Sequence, residues 1–131
     1  MSILPLQAQA YQFILALFPT INQLSVGTAR KSTVAGYMDL NLDCLSYENG
    51  EIEIALSHYY EQNGDLIADP DMQITLYIDA QQAVVNSYQD TYSYTRIEEH
   101  PSDQEIRKRH QLTQFLVQWL TNCIDQGHSF K

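Results

Sequence analysis

Between Met38 and Ile78 apolar and polar residues alternate, and a period of two confines the middle of this chain to strands with one wet face. Met38, Leu40, Leu42 and Cys44 interleave with Tyr37, Asp39, Asn41 and Asp43. Ile52, Ile54 and Leu56 interleave with Glu51, Glu53 and Ala55, and Met72, Ile74, Leu76 and Ile78 take up the pattern further on. Neighbouring strand residues point to opposite faces, so each segment has one face to bury and one to hydrate. Four strands are predicted: Gly36–Leu45, Glu51–Tyr60, Met72–Asp79 and Gln82–Gln89. Glu48-Asn49-Gly50 reads as a hairpin, because Asn-Gly adopts positive φ readily. Asn63-Gly64-Asp65 and Asp69-Pro70-Asp71 read as turns, and Asp79-Ala80-Gln81 as a tight connection. Links this short favour an antiparallel meander.

The flanks carry the helical period instead. Leu6, Ala10, Phe13 and Leu17 form a stripe over Pro5–Phe18, with Pro5 suited to a first turn and Pro19 ending the helix. Ser102 and Glu105 have the spacing of a capping box, and Gly127 suits the far end of a second helix. Its apolar stripe runs through Ile106, His110, Thr113, Val117, Leu120 and Ile124, widened by Phe115, Leu116, Trp119 and Cys123. The fold class expected is α+β, one domain over residues 1–131. A four-stranded antiparallel meander carries an N-terminal and a C-terminal helix on one face, in the order α-β-β-β-β-α.

A length of 131 residues buries a core without disulfides or metals. Cys44 and Cys123 form no closely spaced pair and read as buried thiols. The longest apolar run, Phe13 to Phe18, is too short to span a bilayer, and no basic segment precedes Leu4, so a cytoplasmic protein without a membrane role is expected. The net charge is -9, and its distribution is uneven. From Ser32 to Thr95 there is no Lys or Arg, while that span holds Asp39, Asp43, Glu48, Glu51, Glu53, Glu61, Asp65, Asp69, Asp71, Asp79 and Asp90. Such a surface repels nucleic acid and anionic lipid, and favours a partner protein with a basic surface.

Several segments carry a resemblance. Asp71-Met72-Gln73-Ile74-Thr75-Leu76-Tyr77-Ile78-Asp79-Ala80, Ala83-Val84-Val85, Ser87-Tyr88-Gln89, Arg109-His110-Gln111-Leu112 and Gln114-Phe115-Leu116-Val117-Gln118-Trp119-Leu120 resemble an uncharacterised bacterial family typified by YqiB. Ser57-His58-Tyr59-Tyr60-Glu61-Gln62-Asn63-Gly64-Asp65 and Ala68-Asp69-Pro70-Asp71-Met72 are similar to plasmid- and phage-borne domains of unknown function. Where that family has histidine in a Tyr-His-Asp-Ala run, this chain has Ile78. The resemblance implies a shared fold and a link to mobile elements, and no cofactor or catalytic residue.

Candidate chemistry is sparse. Asp65, Asp69, Asp71 and Asp79 lack the order of a calcium loop, since no glutamate closes one begun at Asp65. No Gly-rich phosphate loop or nucleophile elbow occurs. His58 shares the parity of Ile52, Ile54 and Leu56, and His110 lies on the apolar stripe of the second helix, so both are expected to face inward. With Asp79 they define a hydrolase or metal-dependent alternative. The leading expectation is a non-catalytic interaction module needing no cofactor or metal. Its partner surface is Asp39, Asp43, Glu51 and Glu53 on the outer sheet face, with Tyr88, Tyr92 and Tyr94 at one strand end. A concrete version is an inhibitor of a nucleic-acid-binding machine, of the counter-defence (anti-CRISPR-like) kind. A homodimer built on a sheet edge, as a subunit of a larger complex, is a third reading.

Overall fold

The computed structural model describes residues 4–131, and the side chain of Ala68 lies outside that description. Helix α1 (Leu6–Leu17) and a single 3-10 turn (Ile21–Gln23) precede six strands. These are β1 (Ala29–Ser32), β2 (Leu40–Glu48), β3 (Glu51–Gln62), β4 (Asp65–Tyr77), β5 (Gln82–Gln89) and β6 (Tyr94–Arg96), and helix α2 (Asp103–Gln126) follows. All six lie in one sheet in sequence order, each antiparallel to the next.

The class and the two flanking helices match expectation; a sheet of four strands does not. The additional strands are the two edges. Ala29-Arg30-Lys31-Ser32 has no apolar alternation to announce it, and only Ser32 is buried. Tyr94–Arg96 is three residues long and follows a polar turn. Short, charged edges are how sheets avoid pairing with further chains, so they look like links to any reading based on periodicity.

The hairpin at Asn49-Gly50 forms as expected, with φ of 55° and 75°. The turn expected at Asp69-Pro70-Asp71 does not form, because β4 runs straight through it. The ladder shifts register there: Ser57 pairs with Asp71 and Tyr59 pairs with Ala68, leaving Asp69 and Pro70 out of step with His58. A proline has no N–H to give a ladder, and an irregularity is where that loss costs least. The turn expected at Asn63-Gly64 does form, both residues having positive φ, and it joins β3 to β4.

One face of the sheet is apolar over its centre: Leu40, Leu42, Ile52, Ile54, Leu56, Met72, Ile74, Leu76, Ala83 and Val85 are at most 1% exposed. Helix α1 covers it with Ala10, Tyr11, Ile14 and Leu17, and α2 with Leu112, Leu116, Trp119, Leu120 and Cys123. The helices pack on each other and on β5. The buried line of α2 follows the expected stripe over its C-terminal half and departs from it in the first turns. Thr113, Leu116, Trp119, Leu120 and Cys123 are buried as expected and Leu112 joins them, but Ile106 is 52% exposed and His110 and Phe115 are exposed. The capping box is present: the Glu105 N–H donates to Ser102 Oγ at 3.2 Å and the Ser102 N–H to Glu105 Oε1 at 3.2 Å. Gly127 takes the left-handed conformation at the other end, with φ 97°.

Replacing Ile54, which is 0% exposed at the middle of the apolar face, with alanine is expected to cost about 2–5 kcal/mol. A urea midpoint that moved by less than the effect of an exposed substitution such as Glu51→Ala would contradict this packing.

Candidate functional site

The face of the sheet away from the helices is open, and the register fixes what stands on it. Asn41, Ser57, Asp71 and Gln89 form one row across β2, β3, β4 and β5, and Asp43, Ala55, Gln73 and Ser87 the next. Ser46, Glu53 and Thr75 follow, then Glu48, Glu51, Tyr77 and Gln82. Asp43, Glu51 and Glu53 therefore share one face. Asp43 and Glu53 are half-buried and Glu51 is exposed. Glu53 is held by the Asn86 amide, whose Nδ2 donates to Glu53 Oε2 at 3.1 Å and to Thr75 Oγ1 at 2.7 Å.

The edge strands put cations at both margins of this face. Lys31 pairs with Asn41 on β1, and Arg96 pairs with Ser87 on β6. Lys31 Nζ lies 3.9 Å from Asp39 Oδ2, an exposed pair worth at most about 1 kcal/mol. Asp39 sits just before β2, and its carboxylate has a basic neighbour that the Lys/Arg-free span did not suggest. Asp71 was not singled out as part of this face. Its carboxyl is raised above the ordinary aspartate range by burial and then by Asp43, with Tyr59 acting in the opposite sense.

The tyrosines divide. Tyr88 turns inward, edge-on to Phe115 at 5.4 Å, and its hydroxyl donates to Asp90 Oδ2 at 2.7 Å. Burial and that acceptor push its pKa up to about 12. Tyr92 and Tyr94 are 95% and 61% exposed. The turn that carries Tyr92 is held by Asp90, whose Oδ1 accepts the N–H groups of Tyr92 and Ser93.

His58 faces inward as its parity requires, but it meets neither His110 nor Asp79. Its Nδ1 donates to the Asp39 carbonyl at 2.8 Å, which leaves Nε2 as an acceptor 3.9 Å from the Cys123 thiol. The Trp119 ring is edge-on to it at 5.3 Å, and the His128 ring is 6.1 Å away. His110 is thirteen positions before Cys123 on one helix, roughly 20 Å along its axis. Asp79 lies in the turn after β4, whose last residue Tyr77 is six positions, roughly 20 Å, beyond Asp71, itself opposite Ser57. Among the described residues, no three His, Cys, Asp or Glu side chains are placed to hold a metal ion.

The group that does gather around His58 was not foreseen. His128 Nδ1 lies 2.9 Å from Ser32 Oγ, which also accepts the Ser129 N–H at 3.0 Å. His128 is 5% exposed, and its Nε2 has no partner. One signal did point to it: a residue directly after a helix-ending glycine is folded back on the last turn, and the His128 N–H bonds to the Cys123 carbonyl.

Burial, and then His58 opposite, hold the His128 pKa below the ordinary value of 6.5, opposed in part by the Met38 backbone and then by Asp39. The unfolded chain therefore takes up a proton near 6.5 that the folded one resists, so stability falls as pH drops from 6.5 toward the lowered value. Urea midpoints measured from pH ~7.5 down to ~5 are expected to decline, less steeply in His128→Gln. An equal slope in that variant would assign the loss to other groups. Burial also raises the Cys123 thiol to about 12, and Cys44 is buried too. Neither is expected to react with an aromatic disulfide reagent before urea is added; rapid native-state labelling would show the cluster to be open.

Comparison with known families places the chain. A model described as Domain of unknown function (DUF6908) matches residues 9–129, so the chain belongs to that family. No curated protein and no solved structure matches it. No helix among the described residues is long and apolar enough to cross a membrane.

Proposed function

We propose that this member of a family of unknown function works by binding, as an acidic interaction module whose open sheet face takes a basic surface of a partner protein. The observation that carries the reading is the placement of Asp43, Glu51, Glu53 and Asp71 on one uncovered face, across three adjacent strands that contain no Lys or Arg. The raised carboxyl of Asp71 supports it. Crowded, part-buried carboxylates are at high mutual energy, and a cation laid over them relieves it. Tyr94 shares the face at its far edge, opposite Gln89, and adds apolar area with a hydroxyl.

The finer version is an inhibitor that occupies the nucleic-acid groove of a cytoplasmic target. Two things support it: the resemblance to YqiB-like and plasmid- or phage-borne domains, and the way regularly spaced carboxylates present charge as a phosphate backbone does. The distances separating His58, Asp79 and His110 weigh against the hydrolase alternative.

The test is affinity capture from host lysate with the wild-type chain and with Asp43→Lys/Glu53→Lys, each at low and high salt. One basic protein held at low salt, released at high salt and absent from the variant is the expected result. Retention of the same protein by the charge-reversed variant would remove the acidic face from the interaction.

A further inference from the structure

A trough crosses the acidic face. Its floor is Ala55 and Ser57 of β3, both small and both buried. Asp43 stands opposite Ala55 on the β2 side, and Asp71 opposite Ser57 on the β4 side. The two acids are separated by two strand spacings and two residues along the strands, roughly 12 Å at the backbone. Asn41 stands opposite Ser57 on β2. Tyr59, with Asn41 and Asp43, lines a groove of about 410 Å³ beside the trough, whose wall toward β1 carries Arg30 and Lys31 together with Asp39.

The trough is short of hydrogen-bond donors. Ser57 is 0% exposed and its hydroxyl has no partner. Asp71 Oδ1 is also shut from solvent and has no donor, although the Tyr59 hydroxyl bonds to the carboxyl as a whole. Leaving a buried acceptor unmet is costly, so a ligand that supplies donors there gains more than it would at an exposed carboxylate. Lys31, on the same side of the face, is turned to Asp39.

The missing group must carry positive charge and several N–H donors spread in a plane, because its acceptors stand on both walls. A lysine ammonium is a compact point charge, whereas a guanidinium offers five donors in a rigid fork and lies flat against an aromatic ring. We propose that this trough receives an arginine side chain of the partner protein, its guanidinium between Asp43 and Asp71, above Ser57 and beside the Tyr59 ring. The proposal rests on the reading of the acidic face as an interaction surface, and names the group that surface selects. Entry displaces Tyr59, a half-exposed side chain. The arriving charge offsets both the burial and the Asp43 repulsion that Asp71 now bears.

The experiment is a titration of the ¹⁵N-labelled chain at low salt with a capped arginine–glycine repeat peptide and with its lysine–glycine counterpart, followed by amide shifts. The arginine peptide is expected to move the Ala55, Ser57 and Asp71 amides first, and to bind about fivefold or more tightly than the lysine peptide. Asp71→Asn and Ser57→Ala, each checked for a dispersed spectrum, should weaken it about fivefold, while Glu48→Gln should not. Equal affinity for the two peptides, shifts spread over every acid of the face, or unchanged binding in both trough variants would overturn the arginine site. If that happens while Asp43→Lys/Glu53→Lys still abolishes partner capture, the trough fails and the interaction surface stands.

Discussion

Burial of one sheet face under two helices is the constraint on which the rest of this structure depends. The central strands β2 to β5 supply Leu40, Leu42, Ile52, Ile54, Leu56, Met72, Ile74, Leu76, Ala83 and Val85 to a single layer, and α1 and α2 are its cover. Both helices lie on the same side, so neither covers the opposite side. Its polarity is therefore a requirement of the fold before it is a feature of function. What goes beyond that requirement is the choice of acids over lysine or arginine on β2 to β5, and the half-burial of Asp43, Glu53 and Asp71 among them. A face needing only solubility could have alternated its charges.

The interior also contains polar groups that the cover alone does not explain. His58, His128, Ser32, Cys123 and Trp119 meet where β1, β3, the end of α2 and the segment after it come together. Each histidine has one nitrogen bonded to an oxygen and the other turned to sulfur or left without a partner. Hydrogen bonds have direction where apolar contacts do not. This end of the sheet thus fixes the position of β1, which has almost no apolar side chains with which to hold itself.

Legibility followed the range of each signal. Strand alternation is local and strict, so the β2–β3 hairpin, the inward turn of His58 and the outward turn of Asp43, Glu51 and Glu53 were all readable from parity. The phase of a helix is less strict when its apolar stripe is broad. The broad α2 stripe held Leu116, Trp119 and Cys123, which are buried, together with His110, which is exposed because the buried line passes through Leu112 instead. Edge strands gave no pattern: Lys31 and Arg96 joined the acidic face only through pairing with Asn41 and Ser87. Asp69-Pro70 looked like a turn because proline removes a ladder bond, and it proved to be a register break inside β4. The Ser32–His128 contact spans 96 positions, beyond the reach of any periodicity.

That contact orders events during synthesis. The hydroxyl of Ser32, on the first strand to be made, finds its partners only in His128 and Ser129, 96 and 97 residues later. Phe130 likewise stacks on Phe18 at 5.6 Å, and its N–H bonds to the Leu17 carbonyl. On the ribosome β1 to β5 already have ladder partners, but the Ser32 hydroxyl and the end of α1 must wait until the residues beyond α2 emerge. The nascent chain therefore carries an unfinished margin through nearly all of its translation, and the short, charged sequence of β1 protects it against pairing with a neighbour meanwhile.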